Sequence, residues 1–149
     1  MPLKDILQSE LVFANQSMTS KKRVLEQVAS IASNRLHCDK ECVYDALLAR
    51  EKLGSTGVGK GIAVPHCRLE AANKTAVVML SLEKPVDFDS VDRTPVDLIF
   101  ALIVPPHECE THLSTLAQIA ELTQTEAQLE VLRNATSNKA LYSALLSMI

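Results

Sequence analysis

All four glycines of the chain fall between positions 54 and 61, inside the stretch Arg50 to Arg68, REKLGSTGVGKGIAVPHCR. Glycine serves where a backbone takes positive φ or passes close to another group. A segment this rich in it does not continue a helix, and Pro65 breaks a helix interior just beyond. The stretch therefore predicts a helix before it, an amide-rich loop within it, and a short strand, Ile62-Ala63-Val64, leading to Pro65 and His66. Successive loop amides can form a concave nest for phosphate oxygens. A neutral imidazole is a good nucleophile near neutral pH, its ordinary pKa being about 6.5. Loop and ring together suit an anionic group meeting a nucleophile.

A nucleotide-binding P-loop is the competing reading. Gly54-x-x-x-x-Gly59-Lys60 fits its first seven positions, but residue 61 is glycine where a magnesium-binding hydroxyl belongs. A P-loop also follows a strand and opens a helix, whereas Asp45 to Lys52 reads as helix and Gly-Ile-Ala-Val-Pro cannot start one.

The rest of the chain frames this stretch. Residues 2–16 read as a short helical turn and a strand around Leu11 to Ala14. Thr19 or Ser20 caps a helix to about Leu36, with Val24, Leu25, Val28, Ile31 and Ala32 on one face. Asp39 caps a second helix over Lys40 to Lys52, with Val43, Ala46, Leu47 and Ala49 inward and Gly54 as its stop. Thr75 to Leu82 is a β-branched, apolar strand ended by Lys84-Pro85, and Val96 to Val104 a second one, central because it is continuously apolar. Three helices complete the chain. Glu110 to Leu122 carries Leu113, Leu116, Ala117, Ile119 and Ala120 on one face; Thr125 and Gln128 form a capping box; Ser137 caps the last helix. This order predicts an α/β fold, a mixed central β-sheet flanked by helices on both sides, as one domain over residues 1–149.

Composition excludes several function classes. The formal net charge is −3 without a long basic run, which argues against nucleic acid. Aromatic residues are 3% of the chain, too few for base-stacking platforms. The longest apolar run, Leu98 to Val104, is far short of a membrane span, and the start lacks a signal-peptide pattern, so a cytoplasmic protein with reduced cysteines is expected.

Of four histidines, His37 sits at a helix end and His107 in a loop after Pro105-Pro106, and neither is assigned a role. His66 and His112 each follow a strand end, where reactive groups collect in open α/β sheets. A second imidazole there can orient the first or neutralise phosphoryl oxygens. His37, Cys38 and Cys42 lack a second ligand pair for a metal. Cys67, beside His66, would need a base and an oxyanion site to act as nucleophile instead.

Arg50-Glu51-Lys52, then Thr56-Gly57-x-Gly59-x-Gly61-Ile62-Ala63-Val64-Pro65-His66, closely resembles the phosphorylation-site motif of the mannitol/fructose-type IIA domains of the bacterial phosphoenolpyruvate-dependent phosphotransferase system. Val86 to Asp89, Pro95 to Pro105, and His112-Leu113 with Leu116 are similar to further parts of that family. The resemblance implies a mixed sheet flanked by helices. It implies that His66 takes a phosphoryl group, carried as tele-phosphohistidine, from an HPr-like phosphocarrier; the residues themselves do not name the ring nitrogen. It further implies that His112 assists, that Arg50 attracts phosphate, and that Thr56 and the amides of Gly59 and Gly61 contact phosphoryl oxygens. Lys60 would add to that attraction. No cofactor, metal or nucleotide is expected, because the donor is already a phosphohistidine.

Within the family the chain most resembles the nitrogen-regulatory branch, given its free-standing domain and the strand region DFDSVDRTPVDLIFALIVP. That implies a downstream regulated protein, such as a sensor kinase or a potassium transporter. A sugar-specific component feeding a separate IIB, and a regulatory binding module that carries no phosphate, are the alternatives. A docking partner also requires apolar residues around His66, expected in the glycine loop and near Pro105-Pro106.

Overall fold

The computed structural model describes residues 2–149, residue 109 by its backbone. Six strands, β1 (Val12–Gln16), β2 (Gly57–Gly59), β3 (Ile62–Ala63), β4 (His66–Arg68), β5 (Ala76–Val86) and β6 (Val96–Val104), form one sheet. Its order is β1-β5-β6-β3-β2, with β4 continuing past β3 along the same edge of β6. β1 runs parallel to β5, and β3 and β4 run parallel to β6. The β5–β6 and β2–β3 pairs are antiparallel, so the sheet is mixed as expected.

Period-2 alternation sends neighbouring residues of β6 to opposite faces, and both faces are covered. Ile99, Ala101 and Ile103 join the cluster that holds Val24, Leu25, Val28, Val43 and Leu47 of α2 (Lys21–Leu36) and α3 (Lys40–Leu53). Leu98, Phe100, Leu102 and Val104 join the cluster of α1 (Leu3–Ile6), α4 (Cys109–Leu122), α5 (Glu126–Asn134) and α6 (Asn138–Ser147). That two-sided burial is why β6 reads as an uninterrupted apolar run. Ser20, Asp39, Thr125 and Ser137 cap their helices through side-chain oxygens, with a full capping box at Thr125 and Gln128. Among the described residues, no helix is long and apolar enough to cross a membrane.

Four expectations need correction. β5 does not stop at Lys84-Pro85 but continues to Val86. Its register with β6 shifts between Ser81 and Val86, so Pro85 sits in a ladder irregularity that needs no N–H from it. The glycine stretch is no open loop: β2 and β3 make a hairpin turning at Lys60-Gly61. No helix follows it, which removes the P-loop geometry. On α4 the buried positions are His112, Thr115, Ile119 and Leu122, while Leu113 is 70% exposed. That helix is rotated so that a histidine, not a leucine, packs beside β4. On α3 the inward stripe is Val43, Leu47 and Glu51, and Ala49 is exposed.

Candidate functional site

β4 lies along the second half of β6, with His66 opposite Leu102, and the Pro65 carbonyl accepts from Leu102 N at 2.9 Å. The main chain at the ring is thus fixed by the most buried strand of the fold. The ring itself is half-buried. Its Nδ1 lies 2.9 Å from the Val64 carbonyl oxygen, which can only accept, so Nδ1 carries the hydrogen. Its Nε2 lies 3.2 Å from Arg50 Nε, which can only donate, so Nε2 presents its lone pair. Both partners assign one neutral tautomer, in which Nε2 is the ring nitrogen without hydrogen.

Arg50 comes from the last turn of α3, where a cation also meets the negative end of the helix. Its Nη1 donates to the Gly54 carbonyl at 2.8 Å. This bond holds the guanidinium at the helix end, and its Nε faces the imidazole. His112 arrives from the first turn of α4, edge-on to His66, with ring centroids 5.0 Å apart and an interplanar angle of 65°. It is 9% exposed, and its buried Nε2 has no hydrogen-bond partner. Burial first, then the nearby His66 and Arg68, lowers its pKa from the ordinary histidine value. The result is a neutral ring with an unused polar atom beside the His66 imidazole.

Two clefts meet at His66. One, of about 330 Å³, is walled by Val58, Ile62, Val64, Leu116, Ile119 and Ala120, with Arg50 and Thr56 at its polar side. The other, of about 360 Å³, is lined by Ala46, Ala49, Leu53 and Cys67 together with Arg68 and His112. Leu53, Val58 and Leu113 are all more than half exposed. The glycine stretch supplies Val58, as expected. Of the other two exposed residues, Leu53 comes from α3 and Leu113 from α4; Pro105 is buried, and the exposed Pro106 is not among the residues lining either cleft.

The structure separates other expected residues from the ring. The Gly61 carbonyl accepts from Asp97 N and Leu98 N, at the start of β6, whereas His66 faces Leu102. Four residues of strand separate those positions by roughly 13 Å. Gly59 and Gly61 therefore belong to the hairpin turn and do not cradle anything held at His66. Gly61 has φ +80°, and a Cβ there would lie 2.5 Å from Arg133 Nη2 and 3.0 Å from Asp97 Oδ1. This is a tight backbone approach, not an anion nest. Lys60 is likewise engaged elsewhere: its N donates to Asp92 and its Nζ to the Gln124 carbonyl, each at 3.0 Å.

Thr56 does border the first cleft, but its hydroxyl and its amide both donate to the Glu51 carboxylate. In this arrangement it anchors the loop and does not offer a free donor. Cys67 faces the core, and burial, with a further contribution from Cys38, pushes its thiol up to about 12, so it stays protonated and unreactive. His37 is the left-handed cap of α2, and His107 is exposed beside Glu108. Cys38 is buried while Cys42 is exposed, so the two thiols face different surroundings.

Sequence reasoning quoted Glu51 within the motif but gave it no role, and it missed Lys21, Arg68 and the Val64 carbonyl. Glu51 carried a readable signal, since it falls on the buried stripe four residues after Leu47. A charged residue on such a stripe is almost always partnered. The Val64 carbonyl carried none, being a backbone atom placed by tertiary register.

Residues 5–148 match the family described as "Phosphoenolpyruvate-dependent sugar phosphotransferase system, EIIA 2". A curated relative from Pseudomonas aeruginosa, named "Nitrogen regulatory protein", is 45% identical over 141 residues, covering 94% of this chain and 92% of the relative. The crystal structure of nitrogen regulatory protein IIA-Ntr from Neisseria meningitidis superposes with a TM-score of 0.88 at 32% identity, over 95% of this chain and 97% of that one. The crystal structure of IIA mannitol from Escherichia coli superposes with a TM-score of 0.79 at 25% identity, over 93% and 98%.

Proposed function

Since this chain belongs to the EIIA type 2 family of the phosphoenolpyruvate-dependent sugar phosphotransferase system, whose members are phosphotransfer components, we propose that His66 Nε2 is its phosphoryl acceptor. The observation that carries this reading is the tautomer: Nε2 is unprotonated, in a half-buried ring between a guanidinium and a second imidazole. The donor is the phosphohistidine of an HPr-like carrier, docking its own apolar surface over Leu53, Val58 and Leu113.

The Nε2 lone pair attacks phosphorus in line. The donor's nitrogen–phosphorus bond breaks, and that electron pair stays on the donor's ring. No proton needs removing from Nε2, and Nδ1–H remains on the Val64 carbonyl throughout. Arg50 has only a short movement to make, from Nε2 to the phosphoryl oxygens, where its charge offsets theirs. His112 Nε2 supplies a polar contact that the resting fold leaves unfilled. Apolar walls that exclude water strengthen both effects. Positioning and charge do most of such a transfer, with little covalent assistance.

The phosphorylation state of His66 then regulates a downstream protein of nitrogen or potassium physiology. The relatives named for nitrogen regulation, more similar in sequence than the mannitol IIA structure, favour this over a sugar-specific role feeding a IIB. Intact-protein mass spectrometry after incubation with phosphoenolpyruvate, enzyme I and an HPr-like carrier tests the first claim. One acid-labile, base-stable phosphoryl group is expected, absent in His66→Ala. A folded protein that takes up none would instead be a binding module. Membranes with fructose or mannitol test the second claim, since a regulator does not support sugar phosphorylation.

A further inference from the structure

Residues 50 and 51 are adjacent on the last turn of α3 and face different tasks. Arg50 reaches the imidazole, whereas Glu51 turns inward and is 7% exposed. Its carboxylate accepts from Lys21 Nζ at 3.0 Å, from Thr56 N at 3.2 and 3.3 Å, and from the Thr56 hydroxyl. Lys21 is fixed in turn by Asp89 at 3.4 Å and lies 5.3 Å from the centroid of the Phe88 ring. A carboxylate with this many donors has one orientation available to it.

The bonds continue beyond Thr56. The Thr56 carbonyl accepts from Val64 N at 2.9 Å, and the Val64 carbonyl accepts from His66 Nδ1 at 2.9 Å. Four residues are thus joined in series: Glu51 fixes Thr56, the Thr56 carbonyl fixes the Val64 amide, and the carbonyl of Val64, one peptide unit further on, fixes which ring nitrogen of His66 holds hydrogen. Without that carbonyl in place, only Arg50 Nε still favours a lone pair on Nε2, and any proton that shifts to Nε2 blocks it.

From this series of bonds we infer that Glu51 is a positioning residue for phosphoryl acceptance, holding His66 in its Nε2-reactive tautomer through Thr56 and Val64. It touches no reacting atom. The inference rests on the phosphocarrier reading for its effect on rate, but its effect on the tautomer stands without any phosphoryl donor.

Glu51→Gln tests it with little change in volume. An amide nitrogen then replaces one acceptor oxygen and faces a donor, either Thr56 or Lys21. Nitrogen-15 NMR of the His66 ring, in protein that has met no donor, reads the tautomer directly. Wild type is expected to show hydrogen on Nδ1 alone, and Glu51→Gln a mixture of both forms. With an HPr-like donor, the variant's kcat for phosphorylation falls roughly tenfold or more while KM for the carrier stays near wild type. Thr56→Ser, which keeps the hydroxyl, retains the wild-type tautomer; Thr56→Val, folded and of the same shape, shifts it partway. A Glu51→Gln protein that keeps the wild-type tautomer and rate overturns the inference. If Glu51→Gln does not fold, the Thr56 pair decides, and identical tautomers in Ser and Val overturn it too. If wild type accepts no phosphate, the phosphocarrier reading fails, whereas the tautomer series still stands or falls by itself.

Discussion

Two ends of the same short segment, the Lys60-Gly61 turn and the His66 ring, are built on different physics. The turn is held by backbone and by ionic contacts among its own neighbours. Asp97 takes Arg133 Nε at 2.9 and 3.0 Å, and Arg133 Nη2 reaches the Lys60 carbonyl. Burial nonetheless raises the Asp97 pKa, against the pull of Arg133. These contacts satisfy one another and leave little for a ligand. At His66 the reverse holds. An arginine lends a donor to a nitrogen lone pair, and a buried imidazole keeps an atom unpaired. A fold tolerates few buried unsatisfied polar atoms; among the described residues these are His112 Nε2, beside the His66 ring, and Ser90 Oγ, near Gly57, and the first supports the chemistry proposed at this end. Glycine density located the segment; the unpaired atom of His112 beside the His66 ring supports the proposed place of the reaction.

The contrast breaks most sharply at His66 itself. His66→Ala should abolish phosphoryl uptake outright while leaving the circular dichroism and the unfolding transition of the protein intact. Arg50→Met should keep the fold and slow phosphorylation by about a hundredfold, the scale of losing one charge-stabilising donor, measured as single-turnover rate with a phosphorylated carrier. Gly61→Ala tests the other end. A side chain at φ +80° beside Arg133 and Asp97 should cost about 1–3 kcal/mol by urea unfolding. Phosphoryl transfer per folded molecule should barely change. A Gly61→Ala protein with normal stability and a large loss of transfer would reverse the assignment of the two ends.

The smallest effect is in pH dependence. His112 has a lowered folded pKa, caused first by burial. Below its unfolded value of about 6.5 the unfolded chain binds a proton that the folded chain does not. Its contribution to stability is therefore present above that pH and is lost as pH falls through the folded pKa. His112→Gln should show a shallower decline of stability with acidification over this window, followed by denaturant melts at successive pH values.

The strands and helices were legible because local pattern and tertiary role agree in them. Val24, Leu25, Val28, Ile31 and Ala32 announce the buried face of α2, and the caps at Ser20, Asp39, Thr125 and Ser137 fall where hydroxyl or carboxylate residues precede helices. His66 and His112 stood out through their position after apolar runs. Other features depended on rotation and register, which composition does not carry. Leu113 looks like core by spacing, yet α4 turns it outward because His112 and Thr115 take the inner face. Gly59 and Gly61 suggest an anion nest by residue type, but a hairpin paired to the start of β6 carries them away from the ring. Thr56 borders the cleft at His66 but is turned to Glu51, a partner five residues back that the quoted motif contains without a role.

The proposed chemistry comes down to one nitrogen, Nε2 of His66. The measurement that addresses it most directly is nitrogen-15 and phosphorus-31 NMR of the protein phosphorylated by its carrier, with the histidine rings labelled. A single phosphoryl group coupled to Nε2 of His66, with Nδ1 still protonated, is the predicted result. A phosphoryl group on Nδ1 of His66, or on His112, would contradict it.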